Sequence, residues 1–120
     1  MVGTPYRLQG REPGVGLDCV GLVAQVYRLS AEQVPFRYRV RSGSWARVDE
    51  QLERWFELDR TGGAPRSGSL LALRLPQDRA HFAVAGPHAH VHADLGLRRV
   101  VETPGLPDTE ALQVWQLKPL

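Results

Sequence analysis

Apolar residues recur along this chain at two different spacings, and the change from one to the other divides it. Cys19, Leu22, Val23, Val26 and Tyr27 follow one another in steps of three and four, which lines them along one side of a helix. Asp18 stands immediately before them, a residue type whose carboxylate accepts the free amides of a helix start. Gly21 within the run costs a helix about 1 kcal/mol, so packing there must compensate or something must approach closely. A second amphipathic run has Val48, Leu52, Trp55 and Phe56 on its apolar side. Asp49 and Glu50 read as its first turn, where the positive end of the helix dipole favours carboxylates. "RTGGAPRSG" ends it, and residues 30 to 44 between the two helices read as a connection with an extended piece.

Beyond residue 68 the spacing becomes that of short strands. "SLLALRL" at 69 to 75, "HFAVA" at 81 to 85, "HAHVHA" at 88 to 93, "LRRVVET" at 97 to 103 and "LQVWQL" at 112 to 117 are separated by turn-forming residues. Helices first and strands afterwards predict an α+β fold with an antiparallel sheet. With 120 residues the chain holds one hydrophobic core, so residues 1–120 are expected to form a single domain.

Composition narrows the functional classes. No apolar run is long enough to cross a bilayer, and "MVGTPYRLQGREPG" lacks the apolar stretch of a secretory signal. The expectation is a chain made in the cytoplasm without a signal peptide or membrane insertion. A single cysteine excludes an internal disulfide. The net charge of +2 rests on fourteen Arg and one Lys, scattered except for "FRYRVR" at 36 to 41. Without clustered bases and a recognisable module, nucleic acid is not an expected partner, and charge gives only a mild preference for anions.

All four histidines fall between residues 81 and 92. With Gly86 and Pro87 as a two-residue hairpin loop, Ala85 would face His88, Ala83 would face His90 and His81 would face His92. His81 and His92 would then be neighbours on one face, and Phe82, Val84, Ala89 and Val91 would turn the other face towards the helices. One chemistry for such a pair is a Cys-His-His relay. In it Cys19 attacks, His81 takes its proton and His92 accepts a hydrogen bond from the second nitrogen of His81. The amides and dipole of a helix start would favour a thiolate at Cys19. A second chemistry is a metal site built from His88, His90 and His92, although alternate positions on one flat strand do not converge on an ion without help. The third possibility is that Cys19 is only a small buried side chain.

"GTPYRLQG…GLDCVGLVAQVY" resembles the opening of the NlpC/P60 cysteine peptidases, whose Gly-x-Pro-Tyr segment runs into an Asp-Cys-x-Gly-Leu helix start. The likeness continues through "GAPRSGSLLAL" and "HFAVAGPHAHVHAD" and covers roughly residues 3 to 103. It departs from the family pattern at Gln9 where Gly is common, at Val20 where Ser is usual, and at Phe82 and Ala83 where a Gly follows the histidine strand's start. The resemblance implies a papain-like core, with Cys19 as nucleophile, His81 as base and His92 as the orienting third member. It further implies that Tyr6 and Asp18 support substrate binding or the oxyanion, with no cofactor required. The implied substrate is the stem peptide of bacterial peptidoglycan, cleaved between D-γ-glutamyl and a diamino acid. Compact members of this kind look most like those carried with phage tails, which implies tail or baseplate proteins as partners. A role in tail assembly, with the fold kept as a structural part, is the competing expectation.

Overall fold

The computed structural model describes residues 1–6, 11, 12, 14, 16–29, 45–60, 65–75, 79–94, 96–107 and 112–118. The extended piece read into 30–44 and the departure at Gln9 lie outside them. The elements follow one another as β1 (Arg11–Glu12), β2 (Gly16–Leu17), α1 (Cys19–Val26), α2 (Trp45–Glu53), β3 (Phe56–Leu58), β4 (Leu70–Leu75), β5 (Arg79–Ala85), β6 (Ala89–Asp94), β7 (Arg99–Pro104) and β8 (Leu112–Leu117). β1 and β2 form a small hairpin, and the other six strands make one antiparallel sheet in the order β3-β8-β4-β5-β6-β7. The result is a small α+β domain with its helices ahead of its main sheet.

α1 begins where the sequence pattern places it. The side chain of Asp18 accepts the Gly21 amide at 2.7 Å, and Leu22 N–H donates to the Asp18 carbonyl at 2.9 Å, so the first turn is tied to its cap. It ends one residue before Tyr27. Leu29 N–H reaches the Ala24 carbonyl at 2.8 Å and Arg28 N–H the Gln25 carbonyl at 3.4 Å, with Arg28 at φ 56. That is a Schellman-type ending, with an arginine in the left-handed conformation more often taken by glycine.

Residues Cys19 to Ala24 of α1 are all buried, because the helix lies against the sheet and serves two clusters. Val20, Val23 and Ala24 join Leu52, Phe56, Leu70, Ala72, Phe82 and Trp115, while Leu22 joins Ala93 and Val100 with Val26 and Val91 beside them. Alternation explains which strand residues take part: Ala80 and Phe82 of β5 and Val91 and Ala93 of β6 turn towards α1. Ala83 and Ala85 turn away and pack with Leu71, Leu112 and Val114.

The second helix corrects two expectations. It starts at Trp45, so Asp49 lies beyond the first turn. The carboxylate of Asp49 instead receives Arg74 Nη2 at 2.9 Å, and the same guanidinium lies 4.9 Å over the Trp45 ring. The helix also stops at Glu53, and Phe56 opens β3 opposite Leu117. Its apolar spacing suited a helix, but burial of Phe56 in the α1 cluster is equally met from a strand pairing with β8. The start of the chain lies along β7: Gly3 N–H and Tyr6 N–H donate to the Val100 and Arg98 carbonyls at 2.8 Å each. This covers an edge that would otherwise be open to another strand.

Candidate active site

The β5–β6 hairpin differs from the register expected. Ala83 faces His92 and Ala85 faces His90, and Gly86 N–H donates to the Ala89 carbonyl at 2.7 Å, so Pro87 and His88 form the loop. The expected pairing of His81 with His92 is thus displaced by two residues. Pro87 stays in the loop in both registers; the difference is that Gly86 is paired, through its amide on Ala89, and His88 takes its loop position. A shift of two leaves every side chain on its expected face. His81 and His92 therefore still meet, diagonally, with ring centroids 5.7 Å apart and ring planes at 89°. Carried on by two places, the same register brings Asp94 level with His81.

Cys19 comes to this hairpin from the helix side. Amides in a strand point alternately to its two neighbours, and Gly86 N–H points to β6, so the amides of Val84 and Phe82 do too. The β5–β6 pairing covers only 83–85 with 90–92, whereas β4 pairs with β5 and β6 with β7 well past that point. Phe82 N–H is hydrogen-bonded to the Cys19 thiol. The sulfur thus takes the place of a ladder acceptor where β5 and β6 part. Phe82, whose amide it takes, directly follows His81 in β5.

Electrostatics at this position contradict the expected thiolate. Burial pushes the Cys19 thiol up to about 12, against the smaller lowering by the Phe82 amide, and the Asp18 carboxylate adds to the rise. The amides of Cys19 and Val20 also lower it, by less than the Phe82 amide does. A helix start helps a thiolate only while solvent or a cation shares the work, and Cys19 is 3% exposed. Burial also lowers His81 to about 4, helped by the neighbouring His92, while Asp94 opposes the shift. His92 is lowered as well, first by burial and then by His90. The resting site therefore holds a neutral thiol and neutral imidazoles near neutral pH.

The remaining expected residues have defined places. Asp18 is fully buried as the cap of α1; its carboxylate is an acceptor, and it acts on Cys19 by fixing the helix start. Tyr6 packs on the cluster of Leu22, Ala93 and Val100. His88 sits exposed in the hairpin loop, while His90 is buried with Nδ1 2.9 Å from the Gly105 carbonyl and its ring stacked on His92 at 5.0 Å. Among the described residues, no group of three or more His, Cys, Asp or Glu side chains is arranged to hold a metal ion. None of the described helices is long and apolar enough to cross a membrane.

Two contributors were not found from sequence. The Phe82 amide is a backbone group and leaves no residue signature. Thr103, 3.0 Å from His92 Nε2, could have been found by aligning "AHVHAD" with "RVVETP" as neighbouring strands, which places residues 90, 92, 101 and 103 on one face. No protein-family model matches the chain, and neither curated proteins nor solved structures give a match.

Proposed function

We propose that the chain is a papain-like cysteine peptidase of the NlpC/P60 type. In this reading it cleaves the stem peptide of bacterial peptidoglycan between D-γ-glutamyl and a diamino acid, carried to the wall by a phage-like tail. The observation that supports it most is the position of the Cys19 sulfur. Buried in the core with Ala80 and Phe82, the thiol also takes the Phe82 N–H where β5 and β6 part, on the strand that carries His81.

The chemistry starts from neutral partners. As Cys19 Sγ bonds to the scissile carbonyl carbon, its proton passes to His81, and the carbonyl electrons move onto oxygen. The amides of Cys19 and Val20 lie at the head of α1, where intrahelical acceptors are lacking, and are the donors available to that oxyanion. When the C–N bond breaks, His81 returns the proton to the leaving amine and a thioester remains. Water then attacks the thioester, giving its proton to His81, and the thiol is regenerated as the acid leaves. His92 supports the charge that His81 carries between these steps.

A second reading has a specific observation in its favour. The thiol is buried and held in its neutral form, as a structural cysteine would be, which suits a tail assembly component that keeps the fold without the activity. Digestion of purified muropeptides by wild-type and Cys19→Ala protein separates the two. The peptidase reading expects a new free amine on the diamino acid, identified by mass, with wild type alone. Absence of product from every wall peptide, with Cys19 demonstrably reduced, would favour assembly.

A further inference from the structure

We propose that Thr103 fixes the tautomer of His92, taking the Nε2 proton on its hydroxyl oxygen and leaving the Nδ1 lone pair for His81. Its catalytic purpose rests on the peptidase reading above; the hydrogen-bond arrangement does not.

The two imidazoles of β6 are held in the same manner. His92 stands opposite Val101 and His90 opposite Thr103, and each ring reaches an oxygen two residues further along the chain, Thr103 within β7 and Gly105 just past its end. For His92 that oxygen is Thr103 Oγ1 at 3.0 Å, and for His90 it is the Gly105 carbonyl at 2.9 Å. The common lean lays the rings over one another, 5.0 Å apart and inclined by only 26°. A carbonyl can only accept, so His90 must carry its proton on Nδ1. A hydroxyl can do either, and the direction of the Thr103 bond is decided by what His81 requires.

A neutral His81 has one N–H and one lone pair. If the lone pair is to take the thiol proton, its N–H must meet an acceptor, and the ring it meets is His92 at 5.7 Å between centroids. His92 accepts only on the nitrogen that bears no proton. With Nε2 committed to Thr103, the proton has to be on Nε2 and the acceptor has to be Nδ1. Thr103 therefore acts as a positioning residue, and the stacked His90 keeps the His92 ring from turning over.

The test uses the full chain labelled with 15N-histidine, wild type and two variants, Thr103→Val and Thr103→Ser. Wild type is expected to show His92 protonated at Nε2, with that proton slow to exchange with water. T103V keeps the β-branched shape but loses the acceptor, so the proton should exchange rapidly and the tautomers mix; T103S should restore the wild-type signals. On a wall stem peptide, T103V should lower kcat about 2- to 10-fold with KM unchanged, as expected for loss of one hydrogen bond. A wild-type His92 protonated at Nδ1, or identical His92 signals in T103V, overturns the proposal. Should T103V fail to fold, the wild-type tautomer decides alone. If the tautomer result holds but wild type cleaves no wall peptide, the peptidase reading falls and the Thr103 arrangement stands. Cleavage dependent on Cys19 with His92 indifferent to Thr103 gives the reverse.

Discussion

Reaction of the folded protein with an aromatic disulfide reagent isolates what burial does to Cys19. The thiolate is the reacting species, and burial moves the thiol from an ordinary value of 9.0 to about 12. At pH 8 an unfolded cysteine is about one-tenth thiolate and the folded one roughly one part in ten thousand, a thousand-fold deficit. A more basic thiolate is also a better nucleophile, by roughly 0.4 to 0.5 of each pKa step, which returns about 20- to 30-fold. The net expectation is a folded-state rate about 40-fold below that of the urea-unfolded chain, with steric shielding adding to the difference. The assay follows release of the coloured thiol with and without urea, across pH. Below pH 10 the folded rate should rise about tenfold per pH unit, with no plateau. A plateau near neutral pH, or a folded rate equal to the unfolded one, would refute the reasoning, because it would mean that amides and imidazoles outweigh burial.

Three further outcomes follow from the same contacts. His81 is lowered from 6.5 to about 4, so the unfolded chain binds its proton first: stability from this group is full above pH 6.5 and is lost as pH falls towards 4. Urea unfolding should show a loss of at most about 3 kcal/mol across that window, and His81→Gln should flatten the profile; an unchanged profile would contradict burial of a neutral imidazole. Asp18→Ala should cost about 1–2 kcal/mol in denaturation, since it leaves the Gly21 amide without its cap, whereas Asp18→Asn should keep most of the stability and lower the Cys19 pKa by removing a negative charge. Leu22→Ala, in a fully buried site between Ala93 and Val100, should cost about 2–5 kcal/mol, and a loss below 1 would mean that α1 is not packed on β6 and β7 as described.

What could be read from the sequence was whatever a local pattern specifies. The three- and four-residue spacing after Asp18 and the alternation in "HFAVA" and "HAHVHA" are properties of single segments, and α1, β5 and β6 lie where those patterns place them. Register is not local. The loop of the β5–β6 hairpin lies one residue further along than expected, which moves each pairing by two, and the His81–His92 encounter survives because a shift of two preserves the face. Phe56 went to a strand because its partner, Leu117, lies sixty-one positions away and exerts no influence on a window of sequence. The state of the thiol is not local either. A helix start is visible in "LDCVG", but the burial that outweighs it belongs to a core cluster that Cys19 shares with residues as distant in sequence as Leu70, Phe82 and Trp115.

If Cys19 is the nucleophile, it forms a bond to its substrate, and intact-protein mass after acid quenching reads that bond. Wild-type protein mixed with a wall stem peptide and quenched during turnover should gain the mass of the acyl fragment, with the adduct mapping to Cys19 and labile to hydroxylamine. Cys19→Ala protein should be folded, unmodified and inactive, since the substitution takes only the sulfur atom from the core and with it the nucleophile. An unmodified Cys19 in a sample that is turning over, together with cleavage by the Cys19→Ala protein at the wild-type rate, would contradict the account.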